Sequence, residues 1–231
     1  MHAPAIPWLA CSALVACAVL APRESPAVPT ASDELEAALR AMPDLNHGAA
    51  LFETCAACHG LKGAGASDGS VPAIAGQYTA VILMQLVDFR HDQRVDIRMQ
   101  HMVAGDHLTG PQQLADVATY VTSLPLPSPR VGRASAAEIA SGSTLYSQLC
   151  LSCHRAAADG NSAQRVPRLA GQHVEYLIRQ LYDAKEGRRP AMGPDHARSL
   201  ARLDPAEIAS LAAYLASLDP NAGPGSTPAP H

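Results

Sequence analysis

The chain has 231 residues, a formal charge of −4 and 48% hydrophobic residues. Once a leader is set aside, that is room for two domains of about 90 residues each, a size at which a hydrophobic core alone is marginal. No basic run or aromatic ladder is present to track a nucleic-acid backbone, and aromatic residues make up only 4% of the chain, so something other than large side chains has to fill the cores.

In chain order, Ile6 to Leu20 is an apolar run before the Pro-rich Ala21-Pro22-Arg23-Glu24-Ser25-Pro26. It is short for a membrane span of ~20 residues and reads as the core of a secretory signal, with residues 1–27 as the leader. Leu14-Val15-Ala16-Cys17 has the form of a lipoprotein cleavage box, which would leave Cys17 as a lipidated N-terminus. The alternative is ordinary cleavage after Ala18, Ala21 or Ala27. Asp33 to Met42 is helix-prone and ended by Pro43. The spacing then predicts a first domain over 44–124, a Pro-rich linker over 125–137, a second domain over 138–219 and a Pro/Gly-rich tail over 220–231.

Two pentapeptides stand out, Cys55-Ala56-Ala57-Cys58-His59 and Cys150-Leu151-Ser152-Cys153-His154. Two thiols on one helical turn can add to the two vinyl groups of a haem, and the adjacent histidine then places an imidazole nitrogen on the iron. A thioredoxin-like reading would need a βαβ pattern, and a zinc site two more soft ligands within each half; neither is present. The remaining cysteines, Cys11 and Cys17, lie in the leader, so no disulfide framework is expected. Two covalently bound haem c groups are the cofactors this pattern predicts, supplying the flat apolar mass that the composition lacks.

The segments around the motifs are copies. His59 and His154 are 95 residues apart, as are Pro72 and Pro167, Gly76 and Gly171, Gln77 and Gln172, and Gln85 and Gln180. Each copy opens with a helix carrying a glycine and an aromatic residue four positions on, Gly48 with Phe52 and Gly142 with Tyr146. A middle helix follows, with apolar stripes at Val81, Ile82, Leu86 and Phe89, and at Val174, Leu177, Ile178 and Leu181. Last comes a helix with capping-box spacing, Thr109 with Gln112 and Asp204 with Glu207, with Pro111 and Pro205 near its first turn. Its stripe is Leu114, Val117, Ala118 and Val121 in one copy and Ile208, Leu211, Ala212 and Leu215 in the other. No alternating strand signal competes, so the predicted fold class is all-α.

A CxxCH after a Gly/aromatic helix, a proline 13 residues beyond the histidine, a methionine some 40 residues on and a last helix ending in Ala-x-Tyr resembles the class I cytochromes c. Two such copies in tandem resemble the diheme cytochrome c4-like electron carriers, over about residues 44 to 219. The resemblance implies that Cys55, Cys58, Cys150 and Cys153 hold the haems, that His59 and His154 are axial ligands, and that Pro72 and Pro167 accept the proximal imidazole N–H on their carbonyls. It also implies a methionine sulfur as sixth ligand. Met192 is the only methionine of the second copy, 38 residues after His154; in the first, Met99 lies 40 and Met102 43 residues after His59, and the comparison favours Met99. His101, His107 and His196 lie in the same segments and would make bis-histidine sites instead. Arg94, Arg98, Arg188 and Arg189 precede the methionines and either meet haem propionates or stay solvated.

The function implied is single-electron transfer by an exported, periplasmic carrier of a bacterial respiratory chain, with no catalytic residues of its own. Its partners would be redox proteins such as a dehydrogenase or a terminal oxidase, docking transiently, and it would touch a membrane only if lipidated at Cys17. A diheme peroxidase, which needs an open iron beside acid–base groups, and a cytochrome subunit of a larger dehydrogenase are the competing readings. From Asp44 to Leu124 there are eight acids and four bases, net −4; from Ser135 to Pro220 there are nine of each, net 0. The first domain is therefore the one steered towards a basic surface.

Overall fold

The computed structural model describes residues 29–104, 106, 108–129 and 134–222. The leader with Cys17, His107, part of the linker and the end of the tail lie outside the described residues. The first domain holds α1 (Ala31–Arg40), α2 (Leu45–His59), α3 (Thr79–Arg90), α4 (Ile97–Ala104) and α5 (Pro111–Ser123). The second holds α6 (Ala136–Leu149), α7 (Leu151–His154), α8 (Val174–Lys185), α9 (Pro194–Leu200) and α10 (Pro205–Ser217). Among the described residues the only β pairing is an isolated bridge between Asn161 and Val166, so the fold is all-α.

The first and last helices of each copy cross almost backbone to backbone. A Cβ on Gly48 would lie 2.2 Å from the Asp116 carbonyl oxygen on α5, and one on Gly142 2.0 Å from that of Ser210 on α10. The aromatic one turn further packs beside the crossing, Phe52 against Tyr120 at 5.3 Å between ring centres and Tyr146 against Tyr214 at 5.5 Å. The glycine–aromatic pair is thus one device: the glycine removes the spacer and the rings fill the flank. The predicted stripes of α5 and α10 are buried in these crossings.

Local rules held at one terminus and gave way at another. Asp204 and Glu207 form the expected capping box, at 2.8 and 2.9 Å. Thr109 and Gln112 do not, because α5 starts at Pro111 with Gly110 as its cap. Gln112 reaches elsewhere, donating to the Met42 carbonyl and to Asp116, each at 2.7 Å. The His-bearing turn also differs between copies: α2 runs unbroken to His59, whereas α6 stops before Cys150 and the second CxxCH continues as the separate turn α7.

Among the described residues helix α1 has no counterpart in the second copy. Thr30 and Asp33 box its N-terminus, and it lays Ala31, Leu35, Ala38 and Leu39 on the first core. This buries a second face of α3, Leu83 and Val87, beyond the predicted stripe. Glu34 on α1 is buried against Arg90 and against His91, whose Nε2 lies 2.9 Å away. Arg90 also donates to the Val103 carbonyl, so one side chain ties α1, α3 and α4.

Asp116 is the buried polar centre of the α2–α5 contact, with 1% of its side chain exposed. It accepts from the Asp44 N–H at 2.8 Å, His47 Nδ1 at 2.7 Å and Gln112. Burial alone would raise its pKa, but these donors hold it below the ordinary carboxylate value.

Two outcomes follow from these contacts. Gly142→Ala should push α6 off α10 and lower the stability of the second domain by about 1–3 kcal/mol, read from thermal unfolding. Because the folded Asp116 value lies below the unfolded one, its contribution is complete above a pH of about 4 and is lost as pH falls through the folded value. Asp116→Asn should therefore destabilise the first domain by about 1–3 kcal/mol at neutral pH and flatten the acid limb of its stability profile.

Candidate haem-binding sites

The first CxxCH turn closes α2, with His59 buried, Cys55 half-buried and Cys58 exposed; Cys150, Cys153 and His154 repeat this order of burial. All four cysteines are unpaired thiols here and stand in for the thioether sulfurs of the loaded protein. Burial pushes the Cys55 thiol up and, with Cys153 nearby, the Cys150 thiol up to about 11. His59 Nδ1 lies 3.0 Å from the Pro72 carbonyl and His154 Nδ1 3.1 Å from that of Pro167. A carbonyl only accepts, so both Nδ1 atoms carry the proton and both Nε2 lone pairs are free for a metal. Burial lowers the pKa of both rings against the opposing effect of those carbonyls, which keeps them neutral and able to ligate.

The loops that place the prolines are also copied. Gly65 N–H bonds the His59 carbonyl at 2.9 Å and Ile74 N–H that of Gly63 at 2.8 Å; Gly160 with His154 and Leu169 with Ala158 repeat the pair at 3.1 and 2.8 Å. Gly65 takes φ +73° and a Cβ there would meet the Pro72 carbonyl at 2.6 Å, so the tight return to the histidine requires a glycine.

Met99 lies on α4, half-buried against the first core, while Met102 on the same helix is outside that cluster. His101 is exposed. In the second domain Met192 ends a 3₁₀ turn, Pro190–Met192, and packs on the second core. His196 follows on α9, its ring centre 6.3 Å from that of His154 and its Nδ1 2.8 Å from the Met192 carbonyl.

The arginines divide cleanly. Arg98 and Arg188 are exposed and pair with Asp96 and Asp183 at 3.0 and 2.8 Å. Arg94 and Arg189 are drawn into the contact between the domains, where Arg94 donates to Gln180 at 2.8 Å and to the Tyr176 hydroxyl at 2.7 Å, and Arg189 to Gln85 at 2.7 Å and Gln180 at 3.0 Å. Burial and then the Arg94 charge push Arg189 down to about 10. A cavity of about 320 Å³ opens beside this pair, lined by Arg94, Val95, Asp183, Arg188 and Arg189. The pair of inward-facing cations beside this cavity fits a group that carries carboxylates, as haem does. Arg168, away from that cavity, has its guanidinium 5.0 Å from the Tyr78 ring centre and its Nε buried without a hydrogen-bond partner.

Below that cluster, two glutamines lock the domains reciprocally. Gln77 donates to the Arg168 carbonyl and accepts the Arg168 N–H, at 3.0 and 3.1 Å; Gln172 does the same with Ala73, at 2.7 and 3.0 Å. In the sequence these glutamines marked only the register of the duplication. Their shared offset of 95 from Gln77 to Gln172 and from Ala73 to Arg168 is the signal that they face one another about a two-fold axis.

Two helical domains, each carrying a CxxCH turn with a carbonyl-oriented imidazole, define a tandem c-type cytochrome. The family model described as Cytochrome c matches residues 45–125 and 139–219. The chain belongs to this family and, within it, to the diheme cytochrome c4 group: it is 33% identical over 183 residues to cytochrome c4 of Azotobacter vinelandii, covering 71% of this chain and 84% of the relative. The structure of reduced recombinant cytochrome c4 from Pseudomonas stutzeri superposes with a TM-score of 0.69 at 28% identity, over 77% of this chain and all of that one. A protein of Stutzerimonas stutzeri named thiosulfate dehydrogenase electron acceptor is 30% identical, over 71% of this chain and 78% of its own length. The chain is therefore a diheme electron-transfer protein with two covalently bound haem c groups.

Replacing Gln77 and Gln172 by Ala removes four hydrogen bonds between the domains, each worth a net of about 0.5–1.5 kcal/mol. The double variant should keep both haems yet give a more elongated small-angle scattering profile than the parent. An unchanged profile would assign the domain contact to the arginine cluster instead.

Proposed function

We propose that this protein is an exported carrier that moves single electrons between a donor and an acceptor of a bacterial respiratory chain. The observation that carries the reading is the pair of equivalent CxxCH sites joined through reciprocal hydrogen bonds, so that two redox centres travel as one body. When bound, each haem supplies an iron that cycles between ferric and ferrous states. Cys55, Cys58, Cys150 and Cys153 would anchor the two groups, and His59 and His154 would ligate the irons with rings aimed by Pro72 and Pro167. Met99 would supply the sixth ligand of the first iron, a soft sulfur that favours the ferrous state, and Met102 would stay off it. The sixth ligand of the second iron would come from the segment that holds Met192 and His196.

Partners are redox proteins such as a dehydrogenase or a terminal oxidase, met transiently. The similarity to a relative named as the electron acceptor of thiosulfate dehydrogenase supports a dehydrogenase on the donor side. The net −4 of residues 44–124 makes the first domain the face for a basic partner. The apolar Ile6–Leu20 run supports export to the periplasm, with attachment to a membrane only through a lipid on Cys17. Among the described residues no helix is long and apolar enough to cross a membrane.

Stopped-flow mixing with a basic redox protein should show fast electron exchange that slows as salt is added, with negligible peroxide turnover. Substantial peroxidase activity in the untreated protein would favour the enzyme reading. In the reduced protein, Met99→Ala should admit carbon monoxide to one haem, and Met102→Ala should not.

A further inference from the structure

We propose that His196, rather than Met192, is the sixth ligand of the second haem iron, so that the two haems are ligated differently. The inference rests on the diheme reading above. Its first support is a distance: the ring centres of His154 and His196 are 6.3 Å apart, with planes at 77°. A metal–imidazole bond is about 2 Å and a ring nitrogen lies roughly 1.1 Å from the ring centre, so two imidazoles on opposite sides of one metal are about 6.2 Å apart, whatever the twist between their planes. The observed pair has that span.

The second support is the hydrogen bond. His196 Nδ1 lies 2.8 Å from the Met192 carbonyl. The carbonyl can only accept, so Nδ1 carries the proton and the Nε2 lone pair is free. This repeats the arrangement of His154 with Pro167 and of His59 with Pro72, in which a backbone carbonyl fixes the tautomer and raises the basicity of a ligating ring. Met192 then acts through its backbone as a positioning residue, while its side chain packs on the second core.

The third support is the divergence of the two copies at this point. The 95-residue register that holds through Gln85 and Gln180 does not carry through this segment: the last helices pair 94 residues apart, Pro111 with Pro205 and Leu114 with Ile208, and counted from the buried residue of each segment His196 stands four before Leu200 as Met99 stands four before Val103. The first copy presents its segment on one continuous helix, Ile97–Ala104, with Met99 inward and His101 exposed. The second breaks it at Gly193, φ +75°, into the Pro190–Met192 turn and α9. That break re-aims the chain, and His196 comes to lie with its ring centre 6.3 Å from that of the proximal histidine, whereas His101 of the first domain is exposed.

The test uses the loaded, full-length protein in its ferric form and reads the sulfur-to-iron charge-transfer band per haem. The parent should show the intensity of one methionine-ligated haem out of two, with a bis-imidazole low-spin signal by paramagnetic resonance for the other. Met192→Leu should leave the band and both midpoint potentials unchanged. His196→Met should double the band and raise the lower of the two potentials. Full band intensity for both haems in the parent, or its loss by half in Met192→Leu, would overturn the assignment. Haem content counted on the same samples separates the failures: one haem or none overturns the carrier reading and this ligand with it, whereas two haems with two sulfur bands overturn only His196.

Discussion

Where α2 crosses α5 and α6 crosses α10, two backbones meet with no side chain between them, and that closeness fixes where each His-bearing turn comes to rest. The crossing helix leads into the CxxCH, as α2 itself in the first domain and through the separate turn α7 after α6 in the second, so a shift at Gly48 or Gly142 would be passed on to the sulfurs and the imidazole. The apolar faces of α5 and α10 form the fixed wall, buried along the predicted stripes. The Gly65 and Gly160 returns then bring a proline carbonyl to each imidazole. Position is set by packing and orientation by one hydrogen bond, a division that leaves the metal side of the ring free.

Features that depend on residue type at fixed local spacing were legible in the sequence. The CxxCH turns, the glycine–aromatic pairs, the last-helix stripes and the Asp204–Glu207 cap are all of this kind, and all stand in the structure. What escaped depends on tertiary partners. Leu83 and Val87 look like surplus apolar positions until α1 is laid over them, and the Thr109 cap fails because Gln112 finds Asp116 and the Met42 carbonyl first. Distance along the chain can rank Met99 above Met102, but it carries no information on direction. In the second domain Gly193, at φ +75°, breaks the segment between Met192 and His196, and counting from His154 gives no sign of that.

The two buried arginines show a different economy. Arg94 and Arg189 approach one another across the domain contact with amide oxygens and a tyrosine hydroxyl as acceptors, and the charge of Arg94 disfavours that of Arg189. Two like charges in such a place are unfavourable on their own and become favourable when anionic groups enter beside them. Both arginines thus stand at the domain contact with a cavity of about 320 Å³ beside them, room enough for an anionic group.

The reciprocal glutamines carry a meaning beyond adhesion. A contact in which residue i of one unit meets residue j of the other, and j meets i, is isologous, the signature of a two-fold dimer. Here it is made within a single chain, by Gln77 on Arg168 and Gln172 on Ala73. Each domain thus presents a surface that is complementary to itself, and the Pro-rich connection serves to raise the local concentration of one half around the other. The two halves are not identical at this contact: Tyr176 meets Arg94, while the matching position of the first copy is Val81 and offers no hydroxyl in return.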